Sequence, residues 1–263
     1  MNVFISADIE GCCGVTHWDE ATRTHADYPP FQAQMQREVS AACEGALRAG
    51  ADTIRIRDAH GSARNLTPWS LPPPAQLMRE WSGHPHMMVQ GLDATFDALI
   101  MVGYHSPANS GGHPLAHTIS GDYAEIRVNG QPMAEFHLFS RMAACMGVPT
   151  IVVTGDAGLC ALVHAENPAI HTVASGTGHG RALLARHPTM VVDEIRDTVA
   201  AALQHLPTVT APVGPFHLQV TYRDQRLAHR GSFYPGAKQT SPRVVTLTTE
   251  TWLDILRALV FLR

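Results

Sequence analysis

The apolar run Val3 to Ile5 breaks off into Ser6-Ala7-Asp8-Ile9-Glu10-Gly11, which sets two acids one residue apart at the end of a buried stretch. In an extended strand residues i and i+2 share a face, so Asp8 and Glu10 present both carboxylates to one place before Gly11 lets the chain turn. A helical period follows, with Met35, Val39, Cys43, Ala46 and Leu47 along one face of 32–50 and Gly50 as its stop. An alternating strand then runs from Asp52 to Asp58 and ends at His60-Gly61. Strand, helix and strand at this spacing predict a right-handed parallel crossover. Pro72, Pro73 and Pro74 make 71–81 a loop leading into a short helix. A third buried strand, 98–105, ends on His105 and opens a glycine-rich loop over 106–112.

Asn129-Gly130 between two apolar stretches predicts a tight hairpin, an antiparallel excursion from a parallel sheet. A helix over 138–146 and a fourth strand over 150–156, ending in Asp156, continue the alternation. The pattern then predicts a fifth strand over 170–174, a helix over 180–185 and a long amphipathic helix over 190–205. Pro207, Pro212 and Pro215 mark a linker, followed by strands over 216–222 and 243–248 and a last helix over 250–262. The expected fold class is α/β: a doubly wound, mostly parallel sheet over 1–206, with a smaller α+β part over 207–263.

Composition narrows the chemistry. The chain has 263 residues, 45% of them hydrophobic and 16% charged, enough for a substantial core. A net charge of -4 without a basic run speaks against nucleic acid or an anionic membrane and for a small or peptide substrate. No apolar run reaches the length of a membrane span and no signal-like segment opens the chain, so the expected location is cytoplasmic. Five cysteines without C-x-x-C spacing read as free thiols of a reducing compartment. Sixteen histidines are the one compositional hint of metal or proton chemistry. Gly176-x-Gly178-x-Gly180 lacks the spacing and the lysine of a phosphate-binding loop.

If the early strands are parallel neighbours, Asp8, Glu10, His60 and His105 converge at one edge of the sheet. Two carboxylates with two imidazoles suit a first-row divalent cation such as zinc, and Glu135, opening the helix after the hairpin, is a further acid that would admit two metals. His113 and His117 lie on the loop beyond His105, where either serves as a general acid or base, and spacing does not choose between them. Asp156 either orients a ligand or merely ends its strand. His17, His25, His84 and His86 read as surface histidines, and so does His113 unless it is the catalytic one.

Taken together, Ser6-x-Asp8-x-Glu10-Gly11, Asp58-x-His60, Gly103-Tyr104-His105, Ala116-His117 and Gly130-x-Pro132-x-x-Glu135 resemble the D-aminopeptidase family of metallopeptidases, peptidase family M55, over most of the chain. The resemblance implies a centre of two zinc ions per subunit held by Asp8, Glu10, His60, His105 and Glu135, with His117 as the catalytic histidine. It implies removal of the N-terminal residue from short peptides, D-alanyl dipeptides being the reference substrate, by a homodecamer of stacked pentameric rings. Relatives carry a lysine after a valine on the fifth strand where this chain has Val173-Ala174, so specificity is expected to differ. The alternatives are an aminopeptidase or amidohydrolase for L-peptides and, from another class, a non-catalytic metal-stabilised peptide-binding or assembly protein. A magnesium-dependent phosphatase would be better served by Asp-x-Asp on the first strand.

Overall fold

Val3, Phe4 and Ile5 are buried on both sides of their strand, as a parallel sheet covered on two faces requires. The computed structural model describes residues 1–263. The chain begins with β1 (Asn2–Ala7), a short α1 (Trp18–Ala21), α2 (Tyr28–Arg48), β2 (Thr53–Asp58), β3 (Ala75–Met78) and β4 (Ala98–Tyr104). The hairpin β5 (Tyr123–Val128) and β6 (Gln131–Pro132) leads to α3 (Glu135–Cys145), β7 (Thr150–Asp156), α4 (Ala157–Glu166), β8 (His171–His179), β9 (Ala182–Ala185) and α5 (Pro188–Ala202). Last come β10 (Phe216–Tyr222), α6 (Gln225–Gly231), β11 (Lys238–Ser241), β12 (Val244–Thr249) and α7 (Trp252–Leu262).

The large sheet has the order β3-β2-β1-β4-β7-β8-β9, parallel except for β9. After β1 the chain winds one way through β2 and β3, then the other way through β4, β7 and β8. The sheet therefore reverses direction between β1 and β4, and a crevice opens beyond their carboxyl ends. Successive residues of β1 feed opposite faces. Val3 and Ile5 join Met35 and Val39 of α2 and Ile195 of α5, while Phe4 joins Phe136 and Phe139 of α3 and Trp252 of α7. The second sheet, antiparallel in the order β11-β12-β10-β5-β6, covers this latter face. The hairpin forms as expected, with Asn129 and Gly130 both at positive φ, and β5 pairs with β10 in the register Ile126 to Val220. Residues 123–132 thus share a sheet with strands of the 207–263 segment.

Two local expectations are corrected. The stretch 71–81 holds no helix: β3 adds to the edge of the large sheet, with Ile54 opposite Ala75 and Ile56 opposite Leu77. Three consecutive prolines favour extended backbone, and an edge strand has one side free of ladder bonds, which suits a chain leaving such a run. The helix expected over 180–185 is also absent. Gly180, at φ +62°, turns the chain so that β9 returns antiparallel on β8, Thr177 facing Leu184. The glycines of β8 have a packing reason, since a Cβ on Gly178 would lie 2.4 Å from the Gly112 carbonyl oxygen. The sequence reading also passes over α6 and β11, whose residues are short, polar and largely exposed.

Candidate metal centre

Asp8 and Glu10 lie just past β1 because the loop they sit on passes hard against the end of β4. A Cβ on Gly11 would meet the Tyr104 carbonyl oxygen at 1.7 Å, and one on Gly103 would meet the Asp8 carbonyl oxygen at 2.4 Å. Gly103 also holds φ +71°. Backbone bonds fix the approach, from Asp8 N–H to the Val102 carbonyl (2.8 Å) and from Gly11 N–H to the Gly103 carbonyl (2.9 Å). The two acids are therefore delivered to the switch point, where His60 arrives from the loop after β2, His105 from the end of β4 and Glu135 from the first turn of α3.

Five predicted ligands meet there, all buried: Asp8, Glu10, His60, His105 and Glu135. His60 Nδ1 lies 3.3 Å from Asp8 Oδ1 and 3.0 Å from Glu10 Oε2. His105 Nε2 lies 3.6 Å from Asp8 Oδ2 and 3.5 Å from Glu135 Oε2. His117 stacks on His105 with ring centroids 4.3 Å apart, and its Nε2 is 3.8 Å from both Glu10 Oε1 and Glu135 Oε1. The ligand atoms fall into triads within 4.8 Å: Asp8, Glu10 and His60; Asp8, His105 and Glu135; Glu10, His105 and His117. His113, the rival of His117, does not join them. It is buried, contrary to the surface reading, and its Nδ1 accepts the Leu115 N–H at 3.1 Å.

Each imidazole of the cluster uses its remote nitrogen on a backbone carbonyl. His60 Nε2 binds Ala21 O at 2.8 Å, His105 Nδ1 binds Ser106 O at 3.0 Å and His117 Nδ1 binds Leu115 O at 2.9 Å. A ring nitrogen facing a carbonyl carries the proton, which turns the lone pair of the other nitrogen toward the acids. Electron-rich atoms then face one another. His60 Nδ1 and Glu10 Oε2 are close but not aligned as a hydrogen bond, and both Glu10 Oε2 and His105 Nε2 are buried without a hydrogen-bond partner. No lysine or arginine enters the cluster to balance its three carboxylates. Buried charge of one sign without a counter-charge is strongly unfavourable, so this arrangement calls for a cation.

The protonation tendencies show the same demand for positive charge, which protons on His60 and His105 would meet in place of a metal ion. Burial and then repulsion from Glu10 push the Asp8 carboxyl well up, whereas attraction to His60, His117 and His105 overcomes burial and holds Glu10 well below the usual range. Against burial, Glu10 and Asp8 raise His60 well above its ordinary value, and Glu135, Glu10 and Asp8 raise His105 to about 10. Burial and the neighbouring His105 lower His117, and burial lowers His113 to about 4.

A second layer holds the ligands in place. Asp58 accepts the backbone N–H groups of Asn65 (2.6 Å) and Leu66 (2.8 Å), while Asn65 Nδ2 spans Asp58 and the His60 carbonyl. Asp156 caps α4 and accepts both Ser106 N–H (2.7 Å) and Ser106 Oγ–H (2.5 Å), which fixes the residue whose carbonyl orients His105. Asp156 is thus more than a strand end. Ile119 donates its N–H to Glu135 Oε1 at 2.6 Å from a backbone at φ +65°, a strained conformation for a β-branched residue.

Above the cluster lies a cleft of about 270 Å³. Its walls include Trp18, Trp81, Met87, Met88, Ile119 and Val260. Trp18 meets His117 edge-on at 5.1 Å, and Trp81 bonds Gly61 O at 2.6 Å with the buried Arg57 guanidinium over its ring at 4.2 Å. These wall residues were not found from the sequence, where an isolated tryptophan has no motif. His84 is exposed as expected and also lines the cleft, whereas Ala174 sits on β8 beside Gly155 and is not among the lining residues.

An α/β sheet with a carboxylate–imidazole cluster at its switch point, under a partly apolar cleft, has the make-up of a metal-dependent enzyme. The chain belongs to the D-aminopeptidase family Peptidase M55, whose model matches residues 1–261, and is a peptidase of that family. It is similar to a D-aminopeptidase of Bacillus subtilis strain 168, with 25% identity over 267 residues covering 99% of this chain and 96% of the other. Its fold is shared with the Zn-dependent D-aminopeptidase DppA from Bacillus subtilis, a self-compartmentalizing protease, at a TM-score of 0.93, 23% identity and coverage of 100% of this chain and 96% of that one.

Proposed function

We infer that this peptidase is a dizinc aminopeptidase releasing the N-terminal residue of short peptides, D-alanyl dipeptides among them. One observation carries the metal part: two ligand triads share Asp8, one completed by Glu10 and His60 and the other by His105 and Glu135. Mixed oxygen and nitrogen donors suit zinc, and tetrahedral ligands about 2.0–2.1 Å from such an ion lie about 3.3 Å apart. The donor separations of 3.0 to 3.6 Å fit that spacing. Asp8 would bridge the pair. When bound, two zinc ions supply an acidified water and positive charge for the peptide oxygen.

The chain's own residues do the rest. His117 presents Nε2 between Glu10 and Glu135, its ring held by Leu115 O and the edge of Trp18, so it is the group to take or give a proton at the scissile bond. The cleft walls exclude water from one side of the substrate. Preference for D-residues is supported by the family and by the B. subtilis relative. DppA's self-compartmentalization supports a homo-oligomer here, for which the family resemblance implies stacked pentameric rings, and the exposed Trp69, Phe233 and Phe261 offer apolar contact surface. No helix is long and apolar enough to cross a membrane, and the cysteines are free, consistent with a cytoplasmic enzyme.

The test joins metal analysis to an assay of D-alanyl-D-alanine, L-alanyl-L-alanine and a phosphate ester. The expected result is two zinc ions per chain, hydrolysis of the D-dipeptide, and loss of both metal and activity in Glu10→Gln. Hydrolysis of the ester alone, or a metal-loaded protein inert toward both peptides, would overturn the reading.

A further inference from the structure

The cleft is electrostatically lopsided. At its floor stand Asp8, Glu10 and Glu135, the end suited to cations and to a peptide's amino group. Among the residues lining the cleft, Arg263 alone carries a permanent positive charge, and the other basic side chains are the imidazoles of His60, His84 and His117. His60 and His117 belong to the acid cluster, so Arg263 is the cation free to meet a second substrate charge. No acid of the chain pairs with it and no side-chain hydrogen bond occupies it.

Arg263 is exposed, and the helix end that carries it is set by buried anchors. Trp252, at the start of α7, donates Nε1–H to the Leu138 carbonyl at 2.8 Å, tying α7 to the helix that Glu135 opens. At the other end of α7, the Tyr222 hydroxyl donates to the Leu262 carbonyl at 2.7 Å, and Leu262 is 1% exposed. Val260, three residues before Arg263, also faces the cleft. Arg223 spends its Nε–H on the Gly121 carbonyl at 2.9 Å and is not among the cleft-lining residues, whereas Ser120, Gly121 and Arg263 are.

We propose that Arg263 is the specificity-determining anchor for the free carboxylate of the peptide substrate, so that the enzyme selects peptides short enough to span from the acid cluster to α7. The inference rests on the peptidase reading above. It assigns the two ends of a zwitterionic dipeptide to the two poles of one cleft, the amine toward the acids and the carboxylate toward Arg263. A guanidinium offers a carboxylate a planar, two-pronged donor set that a lysine reproduces only in charge.

The experiment compares D-alanyl-D-alanine with D-alanyl-D-alaninamide, which differ only in the terminal charge, on the zinc-loaded wild type, Arg263→Met and Arg263→Lys. Wild-type kcat/KM is expected to favour the free acid by about 10- to 100-fold, the range of a charge-assisted hydrogen bond. Arg263→Met should abolish that preference mainly through KM, leaving amide turnover within about twofold and thermal unfolding unchanged, and Arg263→Lys should recover part of it. A wild type that does not prefer the acid, or a Met variant that loses both substrates equally, overturns the assignment. If the wild type cleaves neither compound, the proposed D-alanyl dipeptide specificity fails. Calorimetric binding of the same pair then decides Arg263 alone: tighter binding of the acid, lost in Arg263→Met, upholds it, and equal binding overturns it.

Discussion

His117 shows how much one side chain's role depends on which of its nitrogens is free. With Nδ1 committed to Leu115 O, Nε2 is the nitrogen that would serve the proposed reaction, and it lies at the same 3.8 Å from Glu10 and Glu135. His117→Ala is therefore expected to lower kcat by about 10²- to 10⁴-fold while zinc stoichiometry stays at the wild-type value, measured by metal analysis beside steady-state kinetics. Loss of a zinc ion would make His117 a ligand instead. The glycines act at the same scale but through absence of bulk. Gly11→Ala places a methyl group inside contact distance of Tyr104 O, and we expect destabilisation of about 3 kcal/mol in urea unfolding with impaired zinc binding. Asp8 and Glu10 were legible as candidate ligands because an acid pair closing an apolar run contradicts burial unless a cation answers it. Spacing did not separate His117 from His113, and only the family resemblance favoured His117, because two loop histidines four residues apart look alike until the loop's path turns one ring into the cluster.

At the scale of elements, the centre is held by loop ends tied to neighbouring elements. Asp156 caps α4 and at once grips Ser106, so one carboxylate joins the end of β7 to the loop that carries His105. Asp156→Ala leaves those donors buried and unpaired. Its expected effect is a stability loss of about 2–4 kcal/mol and a zinc affinity about 10- to 100-fold weaker, read by denaturation and by competition with a chelator. The main crossovers and the hairpin were readable from period and turn chemistry. The elements β3 and β9 were not, since four-residue strands at a sheet's margin carry too few positions to show a period, and what makes them strands is the neighbour they pair with. The strain at Ile119 has no sequence signature either. It exists because Glu135 accepts the Ile119 N–H in the folded state.

The whole molecule joins distant segments around one site. Trp252 packs edge-on to Phe216 at 5.1 Å and bonds Leu138 O, so α7 braces the helix that presents Glu135. Trp252→Ala should cost about 3–5 kcal/mol of stability, measured by chemical denaturation. Sedimentation velocity should show a large homo-oligomer in place of a 28.5 kDa monomer, and a monomeric peptidase of full activity would refute compartmentalization. The sequence by itself determined the main alternation of strands and helices, the candidate ligand residues and the motifs that carry the family resemblance, because periodicity and short motifs are local properties that survive in one dimension. Only the tertiary structure decided that β1 and β4 flank the switch point, which ring of the His113–His117 loop enters the cluster, and that Trp81 and Arg263 line the same cleft as Asp8. Those are distances between residues far apart in the chain, set by sheet order and by close backbone packing at Gly11 and Gly103, and no local pattern encodes them.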